Sequence, residues 1–139
     1  MQHVFTYGSL MFEPVWRRVV LGHYQSEVAS IRGFRRLSVR EKEHPALVVS
    51  RGGDQIVGRV YFDVRQSDIE RLDAFETERY ARVTITATAE RDHRLILAQA
   101  YLALNVDELT NKDWDVSRFE REGLPRFMVG YVAQHAPPN

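Results

Sequence analysis

Two short stretches of the 139-residue chain hold residue types that could do chemistry together. Tyr7-Gly8-Ser9-Leu10 follows a β-prone run, His3–Tyr7. A glycine and a small hydroxyl residue at a strand end can turn successive backbone N–H groups toward one point, a nest for a carboxylate or a developing oxyanion. A plain turn into the next helix would read the same way. The second stretch, Leu72-Asp73-Ala74-Phe75-Glu76-Thr77-Glu78-Arg79-Tyr80, places Glu76 where an amphipathic helix should end. A carboxyl at such a rim, half-buried between core and cleft, has its proton affinity raised by desolvation into the range useful for proton transfer. The alternative is a solvated surface Glu or a partner of Arg79 or Arg82.

Other chemistries find less support. The five histidines, His3, His23, His44, His93 and His135, form no H-x-x-x-H or H-x-x-E-H unit, so no metal site is expected. Zero cysteine excludes a thiolate nucleophile, a disulfide scaffold and cysteine-ligated zinc or iron–sulfur centres. There is no phosphate-binding G-x-x-x-x-G-K-[ST] loop, no G-x-G-x-x-G fingerprint and no G-x-S-x-G elbow. Arg32, Arg35, Arg36 and Arg40 cluster around Phe34, but strand alternation would split them between two faces. With 19 Lys+Arg balanced by 19 Asp+Glu, an RNA-contacting role is a weak third reading and no nucleic-acid partner is expected.

The elements that must position these residues are mostly short strands. Val28–Val39 is β-prone and broken by Gly33, Ala46–Ser50 is a short apolar run, and Gln55–Val64 follows after Arg51-Gly52-Gly53-Asp54, a glycine-rich hairpin-type connection. In Arg82–Glu90, Val83, Ile85, Ala87 and Ala89 alternate with Thr84, Thr86 and Thr88, the period of a half-buried strand; Arg91-Asp92-His93 turns it into Leu95–Leu104. Helices are predicted over Glu13–Leu21, with Pro14 near its start and Gly22 after its end, and over Ser67–Phe75, opening on a capping-box pattern of Ser67 and Glu70. A third is predicted near Asp115–Glu122 with an extension at Leu124–Gln134, where Val129–Val132 reads equally as a strand. The sum is one α+β domain over residues 1–135, a small, mainly antiparallel β-barrel with a few flanking helices, and a frayed tail at 136–139. No apolar run is long enough to span a membrane, and Met1–Leu10 lacks a signal-peptide pattern, so a cytoplasmic protein with no membrane partner is expected.

Five stretches in order resemble the γ-glutamylcyclotransferase-like family, its AIG2-like group in particular. Val4-Phe5-Thr6-Tyr7-Gly8-Ser9-Leu10 resembles the family's Y-G-[ST]-L strand and loop, and Gly33-Phe34-Arg35-Arg36-Leu37 its G-[YF]-R-R segment. His44-Pro45-Ala46-Leu47-Val48 is similar to its P-A-[LI] strand start, and Val57-Gly58-Arg59-Val60-Tyr61 to its V-x-G strand. Leu72-Asp73-Ala74-Phe75-Glu76 followed by Tyr80 and Arg82 resembles its L-D-x-F-E…Y-x-R signature, and Trp114-Asp115…Phe119…Tyr131 a C-terminal helix common in AIG2-like members. The resemblance implies a mixed, mainly antiparallel barrel with a cavity near the Y-G-[ST]-L loop, and release of 5-oxoproline from a γ-glutamyl amine or γ-glutamyl amino acid. It assigns Glu76 as the catalytic acid/base and Tyr7, Gly8, Ser9, Leu10 and Tyr80 to the substrate. It requires no metal and no organic cofactor, because the substrate's own amine is the nucleophile. Met11–Trp16 would then shape the leaving-group side. A non-catalytic small-ligand or protein-interaction module on the same fold is the competing reading.

Overall fold

The computed structural model describes residues 1–53 and 55–138. Eight strands are present: β1 (Gln2–Thr6), β2 (Ser26–Ile31), β3 (Phe34–Val39), β4 (Pro45–Val49), β5 (Ile56–Val64), β6 (Tyr80–Ala89), β7 (Leu95–Ala103) and β8 (Leu109–Asp113). Five close into a barrel in the order β1-β5-β2-β6-β7, and the other three form a separate sheet ordered β4-β3-β8. All barrel pairings are antiparallel except the seam, where β1 lies parallel to β7 through Val4 and Gln99. The expected mixed, mainly antiparallel barrel with flanking helices is therefore the observed fold class.

Alternation drives the closure. Ile85, Ala87 and Ala89 of β6 turn inward with Ile96, Ala98 and Ala100 of β7, while Thr84 and Thr86 face outward. Small inward alanines let Phe5, Ile31 and Val60 fill the barrel from the opposite wall. Gly58 is where β5 crosses closest to β1: a Cβ there would stand 2.1 Å from the Thr6 carbonyl oxygen.

Helix α1 (Glu13–Val19) and helix α2 (Gln66–Glu76) pack Val15, Trp16 and Val19 against Ile69, Leu72 and Phe75 outside the barrel. A third helical run, α3 (residues 116–135), covers the same cluster with Phe119, Phe127 and Val132. Asp115 caps it, its Oδ1 accepting the Arg118 N–H at 3.0 Å. α-Helical turns in α3 alternate with wider π-type turns at Phe119–Gly123 and Met128–Val132.

Two expectations are corrected, an open alternative is settled, and one further strand is found. The Arg51–Asp54 connection does not close a hairpin: β4 and β5 belong to different sheets, so the turn carries the chain from one sheet to the other (Asp54 itself lies outside the described residues). The Ser67–Glu70 capping box does not form, because α2 starts at Gln66 behind Arg65, which makes no side-chain cap. Val129–Val132 is helical, not a strand. β8 was not anticipated, since Leu-Thr-Asn-Lys-Asp is mostly exposed and lacks alternation. Of the tail at 136–139, the carbonyls of Pro137 and Pro138 accept from Arg71 and that of Pro137 also from Arg18, while Asn139 lies outside the described residues. Among the described residues no helix is long and apolar enough to cross a membrane.

Asp68 does the work that the capping box was expected to do, in another place. It is 1% exposed, and its carboxylate accepts the Leu21 N–H (2.9 Å), the Gly22 N–H (2.9 Å) and the Tyr24 hydroxyl (2.5 Å). Burial opposes its ionisation, but these donors win and hold its carboxyl below the usual range. The result locks α2 to the α1–β2 connection. Asp68→Ala strands three donors, and a melting experiment should register a loss of about 2–3 kcal/mol. Because the folded-state value is lowered, this contribution is present at neutral pH and is lost as pH falls through the carboxylate range.

Candidate functional site

Glu76 is the last residue of α2. Thr77 ends the helix there at a positive φ (68°) with an extended ψ (−178°), its N–H on the Asp73 carbonyl at 3.0 Å. Leu72 and Phe75 are buried, so the register of the helix leaves Glu76 at the edge of the core, facing a cavity. The opposite side of that cavity is Tyr7-Gly8-Ser9-Leu10. The two stretches singled out by residue type are thus brought together by the fold.

The cavity is small. About 30 Å³ is open to the centre of a water-sized probe, room for a water or two. Phe75 and Tyr101 form part of its wall, and Phe127 and Tyr131 of α3 close it with His44. Tyr131 stacks on Phe127 at 5.0 Å, and its hydroxyl donates to the Phe75 carbonyl at 3.1 Å, one residue before Glu76. No Lys or Arg is among the lining residues. His44 adds no charge either: burial, then the nearby Lys42, Arg79 and His135, lower it to about 4, so it is neutral at physiological pH.

Glu76 is half-buried and borders the cavity. Burial first, then the charge of Asp73 one turn earlier, push its carboxyl from an ordinary 4.5 up to about 8. No donor to the carboxyl contributes to that balance. Its position at a helix C-terminus, the negative end of the helix dipole, acts in the same direction. A carboxyl of this kind can take a proton from an amine and return it at neutral pH.

The loop is fixed from behind. The Tyr7 hydroxyl is buried and donates to the Tyr101 carbonyl at 2.7 Å. Burial and the neighbouring Glu76 push it well above the ordinary tyrosine range. Tyr7 is a strut in this arrangement, its hydroxyl already spent. Arg36, read from sequence as part of a basic cluster, donates to the Tyr7 carbonyl (2.8 Å) and the Val57 carbonyl (3.1 Å) and lies over the Trp114 ring. A trans peptide sends the Gly8 N–H away from Arg36. Gly8 is required by space, since a Cβ would stand 2.8 Å from the Pro45 ring.

Tyr80 is not among the residues lining this cavity. Its hydroxyl reaches the Pro45 carbonyl (3.4 Å), and its ring borders adjoining depressions with His44 and Arg79. Glu76 still contributes to the upward push on its hydroxyl, so the two groups share a neighbourhood. Met11–Trp16 does not reach the cavity: Val15 and Trp16 are buried, and Trp16 stacks on Tyr61 at 3.6 Å beside a separate groove. Reasoning from residue types missed Tyr101, His44, Phe127 and Tyr131. A tyrosine in an ordinary strand and rings in a helix whose register was open give no local signal.

Known proteins share the sequence pattern and the fold. The sequence model of the family described as gamma-glutamyl cyclotransferase, AIG2-like, matches residues 4–116. AIG2-like protein D of Arabidopsis thaliana is 28% identical over 130 residues, covering 92% of this chain and 85% of that protein. A solution structure of another Arabidopsis thaliana protein superposes with a TM-score of 0.72 at 23% identity, over 99% of this chain and 95% of that one. A structure of gamma-glutamyl cyclotransferase shares the fold with a TM-score of 0.66 at 16% identity, over 99% and 89% of the two chains.

Two measurements test the site as built. Glu76 has a raised folded-state value, so stability should be greatest below the ordinary carboxylate range and decline as pH rises from about 4.5 to about 8. Glu76→Gln should remove that decline and be more stable than the wild type by up to about 5 kcal/mol above pH 8, read from denaturant curves across pH. Gly8→Ala should cost about 1–3 kcal/mol through the collision with the Pro45 ring.

Proposed function

The chain belongs to the gamma-glutamyl cyclotransferase, AIG2-like family, and we propose that it is a cyclotransferase that releases 5-oxoproline from a γ-glutamyl amine or γ-glutamyl amino acid. The observation that carries this reading is the position of Glu76. A desolvated carboxyl, raised to about 8 and free of internal donors, faces the Tyr7–Leu10 loop across one cavity.

The substrate's α-amine attacks its own γ-carbonyl carbon. A C–N bond closes the five-membered ring, the carbonyl π pair moves to oxygen, and Glu76 accepts the amine proton. The oxyanion then re-forms the carbonyl, the bond to the leaving nitrogen breaks, and Glu76 returns the proton to that nitrogen. The products are 5-oxoproline and the free amine. Holding the substrate folded for intramolecular attack is the larger contribution, on the order of 7–11 kcal/mol, and the positioned acid–base group adds about 10²–10⁴-fold. Backbone N–H groups of Gly8–Leu10 supply hydrogen bonds to the substrate carboxylate or the oxyanion. The nucleophile comes from the substrate, so the chain needs no cysteine.

Phe127 and Tyr131 of α3 line the same cavity as Glu76 and the loop, so they border the space in which the glutamyl group would be held. The enzyme should act on a panel of γ-glutamyl amino acids, γ-glutamylamines and γ-glutamyl-lysine, assayed for 5-oxoproline. Glu76→Gln should abolish release while the protein still binds substrate and stays folded, with the raised stability expected above for this variant. The rate should rise with pH through about 8 as the Glu76 carboxylate forms. Saturable binding with no turnover across the panel would instead identify a binding module, and full activity in Glu76→Gln would overturn the mechanism.

A further inference from the structure

Asp73 stands one helical turn before Glu76, an i, i+3 pair on one face of α2. It is held from two strands. Arg82 of β6 grips it through Nε on Oδ1 (3.0 Å) and a second guanidinium nitrogen on Oδ2 (3.4 Å). Tyr101 of β7 donates its hydroxyl to Oδ1 at 2.6 Å. Arg82 is itself fixed by the side-chain carbonyls of Gln2 on β1 (3.0 Å) and Gln99 on β7 (3.1 Å). Gln99 is oriented in turn by its amide on the Thr84 hydroxyl at 2.8 Å. The assembly spans the parallel seam of the barrel, where β1 meets β7. Tyr101 belongs to it on one side and to the wall of the Glu76 cavity on the other.

We propose that Asp73, clamped by Arg82 and Tyr101, is a positioning residue for the reaction: it keeps a second negative charge beside Glu76 and sets how readily that carboxyl holds its proton. The inference rests on the acid–base role proposed above for Glu76. The clamp balances two requirements. A bare Asp73 would oppose ionisation of Glu76 strongly, and an Asp73 fully neutralised by Arg82 would leave Glu76 more acidic. The bidentate pair screens part of the charge and fixes the position of the carboxylate. Asp73 contributes to the upward push on Glu76, consistent with the charge being screened only in part. The other titratable groups facing Glu76 are all neutral at physiological pH: Tyr7 from β1, Tyr80 from β6, Tyr101 from β7, Tyr131 from α3 and His44 from the β3–β4 connection. Asp73 is the charged group that contributes to this push, and Arg82 is its counter-ion.

The test is a direct titration of Glu76 by carbon NMR of labelled glutamate side chains in the intact protein, together with the pH profile of 5-oxoproline release. Asp73→Asn should move the Glu76 midpoint down by about one pH unit. The rate profile should shift to lower pH with it, while the melting curve shows a cooperative fold. Arg82→Gln should move the midpoint up, and Arg82→Lys should restore most of the wild-type value. A residue that only braced the barrel seam would lower the melting temperature in all three variants without moving the Glu76 midpoint, and that result overturns the proposal. So does a midpoint that moves the same way in Asp73→Asn and Arg82→Gln. The opposed NMR shifts support the clamp even if no γ-glutamyl compound is turned over by the wild type, in which case the cyclotransferase reading alone fails.

Discussion

An unpaired carboxyl facing a cavity of a few tens of cubic ångströms is the constraint on which the rest of this structure depends. Taking such a group out of water without a donor disfavours its charged form and costs folding free energy at neutral pH. The chain accepts that cost at Glu76 and offsets it elsewhere. The barrel interior is filled by Phe5, Ile31, Val60 and a row of alanines, and the second cluster packs Trp16, Leu72 and Phe75 beneath the helices. Asp68, at the other end of the same helix, is treated in the opposite way: three donors converge on it and its charge is stabilised. One helix therefore carries a carboxylate that anchors the fold near its start and a carboxyl that the fold leaves without a donor at its end.

The position of that carboxyl is fixed by three independent structures. α2 is pinned at Asp68, its apolar face is buried through Ile69, Leu72 and Phe75, and Thr77 stops it one residue after Glu76. The opposing loop is fixed by Arg36 on the Tyr7 carbonyl and by the Tyr7 hydroxyl on β7. The small sheet matters here because β3 supplies Arg36 and β4 begins at Pro45, which packs against Gly8. The three-stranded sheet is thus part of the scaffold of the site, although it stands outside the barrel.

Much of this was legible in the sequence wherever a local pattern had one physical meaning. The alternation of Arg82–Glu90 gave a strand with the correct inward face, and the spacing of Ile69, Leu72 and Phe75 gave a helix with the correct buried side. That helix, ending near Glu76, placed the carboxyl at a rim. The failures fall where local chemistry is satisfied by more than one arrangement. Gly52 adopts a positive φ of 67°, as a glycine in a turn can, but turn chemistry says only that the chain bends, not which sheet it joins next. Ser67 and Glu70 fit a capping box, yet the helix begins one residue earlier, so both lie inside it. β8 is an exposed edge strand whose pairing with β3 is set by tertiary context, which the polar segment Leu109–Asp113 does not encode by itself. Arg36 looked like one of four surface cations because nothing local reveals that its guanidinium folds back onto two backbone carbonyls.

The match to the family ends at residue 116, and by that point the loop, Glu76, Asp73, Arg82 and Tyr101 are all present. Phe127 and Tyr131 come afterwards, from α3, and they set the volume of the cavity. Glu76 and its surroundings thus lie within the span that the family model matches, while Phe127 and Tyr131 lie beyond it, in a stretch still covered by the superposed Arabidopsis thaliana structure. α3 is also irregular, with two wide turns, and it is held to the body by aromatic packing, by the Tyr131 hydroxyl on the Phe75 carbonyl and by Arg18 and Arg71 on the carbonyls that follow it. Ring contacts of this kind are individually weak, and a ring can rotate or slide at less cost than the barrel can open. Glu76 therefore stands on a helix pinned at Asp68 and stopped at Thr77, whereas the space beside it is bordered by α3, which is held largely by weak ring contacts.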